Sequence, residues 1–110
     1  MVGCNKTSDT KMVTDELIEK SKGYNLYIKH ACNTCHSLDG SRMNGPTFKN
    51  LYGKRVQFHN DKSIIVDKEY LINSIANPGK EIVKGYPNLM PSYSLTKDEL
   101  DSLINFIKKY

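Results

Sequence analysis

Leu100, Leu103, Ile104 and Ile107 recur at i, i+3, i+4 and i+7, the spacing that gathers apolar side chains on one face of an α-helix. Thr96 and Glu99 precede that stripe as T-x-x-E, a capping box in which each side chain satisfies the other residue's free backbone N–H. A C-terminal helix is therefore predicted. A second helical pattern starts at Asp67, carries Tyr70, Leu71, Ser74 and Ile75, and stops at Asn77, because Pro78 disfavours helical geometry in the residue before it. Toward the N-terminus, Thr14, Asp15 and Glu16 supply a cap and acidic residues suited to the positive end of a helix dipole. Leu17, Ile18, Tyr24, Tyr27 and Ile28 follow at helical spacing. Gly23 interrupts this helix at a cost of about 1 kcal/mol relative to alanine, which predicts a point where another helix, the C-terminal one, crosses close to its backbone.

Between these helices, "KRVQFHNDKSIIVD" has short apolar runs on either side of a polar turn at Asn60-Asp61, and a small hairpin is expected within residues 55–66. The first fourteen residues are polar and have no apolar period, so residues 1–14 are expected to be a flexible lead-in and 15–110 the folded domain. Val2-Gly3-Cys4 is similar to the end of a bacterial lipoprotein signal, but the basic and apolar stretch of such a signal does not precede it here. A lipid anchor at Cys4 and a spare thiol in a polar tail are both compatible with this pattern.

Composition narrows the picture. A chain of 110 residues makes one domain with a thin core, which a bound cofactor would help to stabilise. With 38% hydrophobic and 25% charged residues it has ordinary globular composition, and no run approaches the roughly 18 apolar residues of a membrane span. The net charge of +4 is spread along the chain. It forms no basic block that would suggest nucleic-acid binding, and it suits a charged surface or attraction to an acidic partner.

The chemistry concentrates in "ACNTCHSL", residues 31–38. Cys32-Asn33-Thr34-Cys35-His36 is the C-x-x-C-H order of covalent c-type haem attachment, in which both thiols add to the haem and the histidine reaches its iron.

Helices, turn-rich loops and this motif together resemble class I cytochrome c over residues 15–110. The likeness rests on Gly23 and Tyr27 before the motif, "GPTF" at 45–48, "MPSY" at 90–93, and the aromatic C-terminal helix ending "NFIKKY". More narrowly, "DKEYLINSIANPGKEIVKGYPNLMPSY" is similar to the cytochrome c domain of subunit II of some bacterial haem-copper oxidases. The resemblance implies an all-α fold of three to four helices around one covalent haem c, with the hairpin as an addition. It makes Cys32 and Cys35 the thioether anchors and His36 the proximal ligand. Pro46 would accept a hydrogen bond from the far nitrogen of His36 through its carbonyl.

For the distal ligand, Met90 stands in an irregular proline-flanked stretch that can present a soft thioether to haem iron, and family members place their ligand in the same context. Met43 lies only seven residues past His36, too near to wrap around the haem edge. Met1 and Met12 fall in the lead-in, and His30 and His59 read as solvated histidines. Tyr52, Arg55 and Lys84 are candidate donors to the haem propionates.

With both axial positions filled, the economical function is single-electron transfer, not catalysis. The expected partners are a respiratory donor complex and a terminal oxidase, docking weakly on a monomer. The family resemblance implies an exported protein, in the periplasm or at the outer face of the bacterial cytoplasmic membrane. Two other classes share the motif. A haem peroxidase or gas sensor would need a labile methionine and a distal acid–base residue, and none is evident near Met90. A thiol or zinc module would need a fourth ligand from a second cluster, which the sequence lacks.

Overall fold

The computed structural model describes residues 22–110. The expected lead-in, the start of the first helix, Cys4, Met1 and Met12 lie outside the described residues. Within them, helix α1 covers 22–29 and is followed by a 3-10 turn at Cys32–Thr34, strands β1 (Arg55–Gln57) and β2 (Ser63–Ile65), and helices α2 (Lys68–Ala76) and α3 (Lys97–Lys108).

Helix α3 begins as its sequence dictates. Thr96 accepts a hydrogen bond from the Glu99 N–H at 3.2 Å, and the Glu99 carboxylate accepts from the Thr96 N–H at 3.0 Å. Its buried face comprises Ser102, Leu103, Ile104, Phe106 and Ile107. Phe106 lies outside the predicted stripe, yet is among the most buried side chains, because α1 crosses α3 on that side. A Cβ added at Gly23 would overlap the Cβ of Phe106 and lie 2.8 Å from the Ser102 carbonyl oxygen. Gly23 is thus the crossing point its pattern predicted. Tyr27 completes the crossing, with its ring centroid 5.5 Å from that of Phe106. Tyr24 and Ile28 are exposed, so only part of the apolar period of α1 faces inward.

Asp67 caps α2 by accepting the Tyr70 N–H at 2.8 Å, and the helix stops at Asn77 as Pro78 requires. Lys68 of α2 meets Asp101 of α3 at 3.0 Å on the surface. The hairpin pairs β1 and β2 antiparallel, with Val56 opposite Ile64. Asp61 takes a positive φ of 70° in the turn, a conformation aspartate tolerates better than most residues. The hairpin also supports a later segment, since Phe58 bridges to Val83 and the Lys84 N–H donates to the Gln57 carbonyl at 2.7 Å. The fold is mostly helical with one two-stranded sheet, as expected.

Candidate haem-binding cleft

A cleft of about 350 Å³ opens between the Cys32–His36 segment, residues 44–51, α2, the irregular segment 78–93 and α3. Its walls are largely apolar, with Leu51, Leu71, Ile75, Val83, Leu103 and Ile107 among them.

The attachment segment is shaped by its backbone. Ala31 adopts a left-handed conformation, φ 57° and ψ 27°, which ends α1 and starts the 3-10 turn. The Cys35 and His36 N–H groups both donate to the Cys32 carbonyl, at 3.2 and 2.8 Å. Cys32 opens the turn and Cys35 caps its end three residues on, and both line the cleft. Both are free thiols, and burial pushes the Cys32 thiol up from its ordinary value, keeping it protonated.

His36 also lines the cleft, and its orientation is set by several neighbours. Its Nδ1 lies 2.7 Å from the Pro46 carbonyl oxygen. A carbonyl can only accept, so Nδ1 carries the proton and Nε2 of the neutral ring keeps its lone pair. Burial lowers the His36 pKa, against the opposing hydrogen bond to Pro46, and so favours the neutral ring that a metal requires. Phe48 stacks on the imidazole at 4.8 Å and 17°. Gly45 fits against it so closely that a Cβ there would lie 2.5 Å from Cε1 and 2.8 Å from Nδ1. The Tyr27 hydroxyl donates to the His36 carbonyl.

The loop that carries Gly45 and Pro46 is knitted together by short polar side chains. The Ser37 hydroxyl donates to the Ser41 carbonyl at 2.7 Å and lies 2.9 Å from the Thr47 hydroxyl. The Gly45 N–H donates to the Cys35 carbonyl at 2.8 Å. This loop is a rigid mount for the imidazole.

Met90 is partly buried and lines the cleft on the 78–93 segment. The residues immediately after it are tied down on two sides. Ser92 donates to the Ala76 carbonyl at 2.5 Å and the Tyr93 N–H to the Ile75 carbonyl at 3.0 Å, anchoring the segment to the end of α2. The Tyr93 hydroxyl donates to the His30 carbonyl at 2.6 Å, joining it to the attachment segment.

The structure brings Cys32, Cys35, His36, Pro46 and Met90 to one cleft, but not Tyr52, Arg55 or Lys84. Tyr52 lies under Lys108, whose Nζ is 4.9 Å from its ring centre. Arg55 reaches Ser63 at 3.2 Å across the hairpin, and Lys84 pairs with Asp61 at 2.9 Å on the surface. Each of the three thus meets a partner outside the cleft lining, and contact with haem propionates stays an expectation for them. Met43 and His59 are exposed and line no part of it.

The solvated reading of His30 needs correction, because its Nε2 is shut off from solvent with no hydrogen-bond partner and its ring stands edge-on to Tyr93 at 5.2 Å. Glu81 is a carboxylate in the cleft lining that no sequence pattern announced.

Beside Glu81, the polar lining includes neutral groups, among them Tyr70, Ser74, Tyr86 and Asn88. Tyr70 and Ser74 could have been found, since they stand four apart beside Leu71 and Ile75 on the inward face of α2. Burial pushes the Tyr70 hydroxyl up, opposed by its hydrogen bond with Ser74. Among the described residues, no group of three or more His, Cys, Asp and Glu side chains is arranged to hold a metal ion.

The donor set suits a haem: two thiols at a 3-10 turn, a neutral imidazole with a free Nε2, a thioether, and apolar walls. The family model described as Cytochrome c matches residues 21–110. No curated protein matches the chain.

Proposed function

The chain belongs to the cytochrome c family, and from that premise we propose that it is a single-haem electron carrier with His36 and Met90 as the axial iron ligands. The observation that carries the reading is the meeting of Cys32, Cys35, His36 and Met90 on one apolar cleft, with the imidazole Nδ1 engaged 2.7 Å from the Pro46 carbonyl. When bound, haem supplies one-electron chemistry at an iron that cycles between two oxidation states.

The residues of the chain do the rest. Cys32 and Cys35 hold the group covalently at the cleft wall. Pro46, Phe48 and Gly45 fix the plane of the imidazole, and the acceptor at Nδ1 makes Nε2 a stronger donor to a metal. The Met90 thioether favours the reduced iron and raises the potential into the range of a respiratory carrier. With His36 and Met90 both holding the iron, the bound group would have no place left for a substrate. Apolar walls exclude water.

The likeness of residues 67–93 to the cytochrome c domain of haem-copper oxidase subunit II supports a terminal oxidase as electron acceptor, reached by weak docking of a monomer at the cleft edge. Attachment of c-type haem belongs to the exported side of the cell, so we place the protein in the periplasm or at the outer face of the cytoplasmic membrane. Among the described residues no helix is long and apolar enough to cross a membrane.

Met90→Ala tests the ligand set. The substitution should abolish the sulfur-to-iron charge-transfer band of the oxidised protein and lower its potential, whereas Met43→Ala should change neither. The reverse outcome would exclude Met90 as the ligand.

A further inference from the structure

The segment that carries Met90 is linked to the loop behind His36 by the side chain of Arg42. Arg42 donates from Nη2 to the Gly85 carbonyl at 2.7 Å, across 43 residues of sequence, and its guanidinium carbon lies 4.5 Å from the centre of the Tyr86 ring. Gly85 has a φ of +92°, and a Cβ added there would sit 3.6 Å from Nη2. The backbone there is thus in a conformation that suits glycine, with the guanidinium directly beside it. Tyr86 lines the cleft and stands four residues before Met90.

The two ends of this contact differ in rigidity. Arg42 follows Ser41, whose carbonyl accepts the Ser37 hydroxyl and whose N–H donates to Asp39 at 2.9 Å, so its base belongs to the knitted mount of His36. The opposite segment is tied to the hairpin at its beginning by the Lys84 N–H on the Gln57 carbonyl, and to the end of α2 by Ser92 and Tyr93. Pro87, Asn88, Leu89, Met90 and Pro91 span the interval, and Leu89 is 64% exposed.

We infer that Arg42 is a positioning residue for the distal ligand: by clasping Gly85 and Tyr86 to the proximal loop it holds the Met90 segment closed against displacement by an exogenous ligand. This rests on the reading of Met90 as an iron ligand. Arginine suits the task because one planar group can donate to a carbonyl and stack on an aromatic ring together. Lysine would keep the charge and a donor but lose the planar stack. An exposed clasp of this kind contributes modestly, so its loss should raise the open population about three- to tenfold.

The test is imidazole binding to the oxidised holoprotein, monitored by the change in its visible spectrum. Arg42→Ala and Tyr86→Leu should each tighten apparent imidazole affinity about three- to tenfold, Arg42→Lys should fall between Arg42→Ala and wild type, and Tyr86→Phe should match wild type because it keeps the ring. The double variant should bind no more tightly than the stronger single one, since both remove the same clasp. An affinity unchanged within about twofold in Arg42→Ala, or additive effects in the double variant, would overturn the inference. Met90→Ala run in parallel separates the two levels. If it leaves both spectrum and imidazole affinity unchanged, the ligand reading fails; if it alters them while Arg42→Ala does not, only the clasp fails.

Discussion

Tyr93 and His30 stand 63 residues apart in sequence and are joined twice: the tyrosine hydroxyl donates to the histidine carbonyl at 2.6 Å, and its ring meets the imidazole edge-on at 5.2 Å. The first contact ties the segment after Met90 to the turn before Cys32. The two thiols and the methionine therefore sit on a frame closed through Tyr93.

Removing only that hydroxyl should loosen the frame. Tyr93→Phe keeps the ring contact but leaves the His30 carbonyl without this donor, and should destabilise the holoprotein by about 1–2 kcal/mol. Urea unfolding monitored by circular dichroism reads this as a lower midpoint at unchanged slope. An unchanged midpoint would mean that the bond contributes nothing to closure.

Gly23 sets two rules against each other. Helix propensity alone predicts that Gly23→Ala stabilises by about 1 kcal/mol. The close approach of α3, with the Ser102 oxygen 2.8 Å from the added carbon, predicts overpacking that costs about 1–3 kcal/mol. Packing should win, and thermal unfolding should show a lower melting temperature.

Gly45 serves the site and not the fold's stability in general. A methyl group there would collide with the His36 ring, so Gly45→Ala should disturb the imidazole plane and its bond to Pro46. The expected readout is a partial loss of the low-spin spectrum, with far-ultraviolet circular dichroism close to wild type. An unperturbed spectrum would show that the ring orientation is not set by this contact.

The cap of α3 carries a pH dependence. The Thr96 backbone N–H, with smaller help from the Thr96 side chain and from Lys29 and His30, holds the Glu99 carboxyl below its ordinary value. A group depressed in the folded state stabilises above its unfolded pKa and loses that contribution as pH falls through the folded value. The stability advantage of wild type over Glu99→Gln should be present at pH 7 and shrink below about pH 4.3, the ordinary glutamate value. Denaturant titrations across that range check it, and an advantage that grew in acid would contradict the assignment.

What was legible in the sequence was local. The T-x-x-E box, the Asp67 cap with Pro78 eleven residues on, the Asn60-Asp61 turn and the C-x-x-C-H spacing each act over a few residues, so each left a pattern. Gly23 was legible because a glycine inside a helix needs a reason. Arg42 on Gly85 and Tyr93 on His30 had no such trace, because their contacts reach across 43 and 63 residues. The partners of Tyr52, Arg55 and Lys84 were equally hidden, since donor chemistry suggests a role but not a direction. The shielding of His30 Nε2 was hidden because nothing in its neighbours announces that Tyr93 returns to meet the ring.

A covalent haem ligated by His36 and Met90 underlies everything proposed for this chain, and the visible spectrum of the purified protein probes it without intermediaries. Spectra would be taken of the oxidised and dithionite-reduced protein, and then of the denatured chain to see whether colour stays with it. Sharp reduced bands are expected, with a sulfur-to-iron band in the oxidised state and haem retained by the unfolded polypeptide through Cys32 and Cys35. A colourless protein, a broad high-spin spectrum, or haem released on unfolding would refute the ligation and attachment proposed for these four residues.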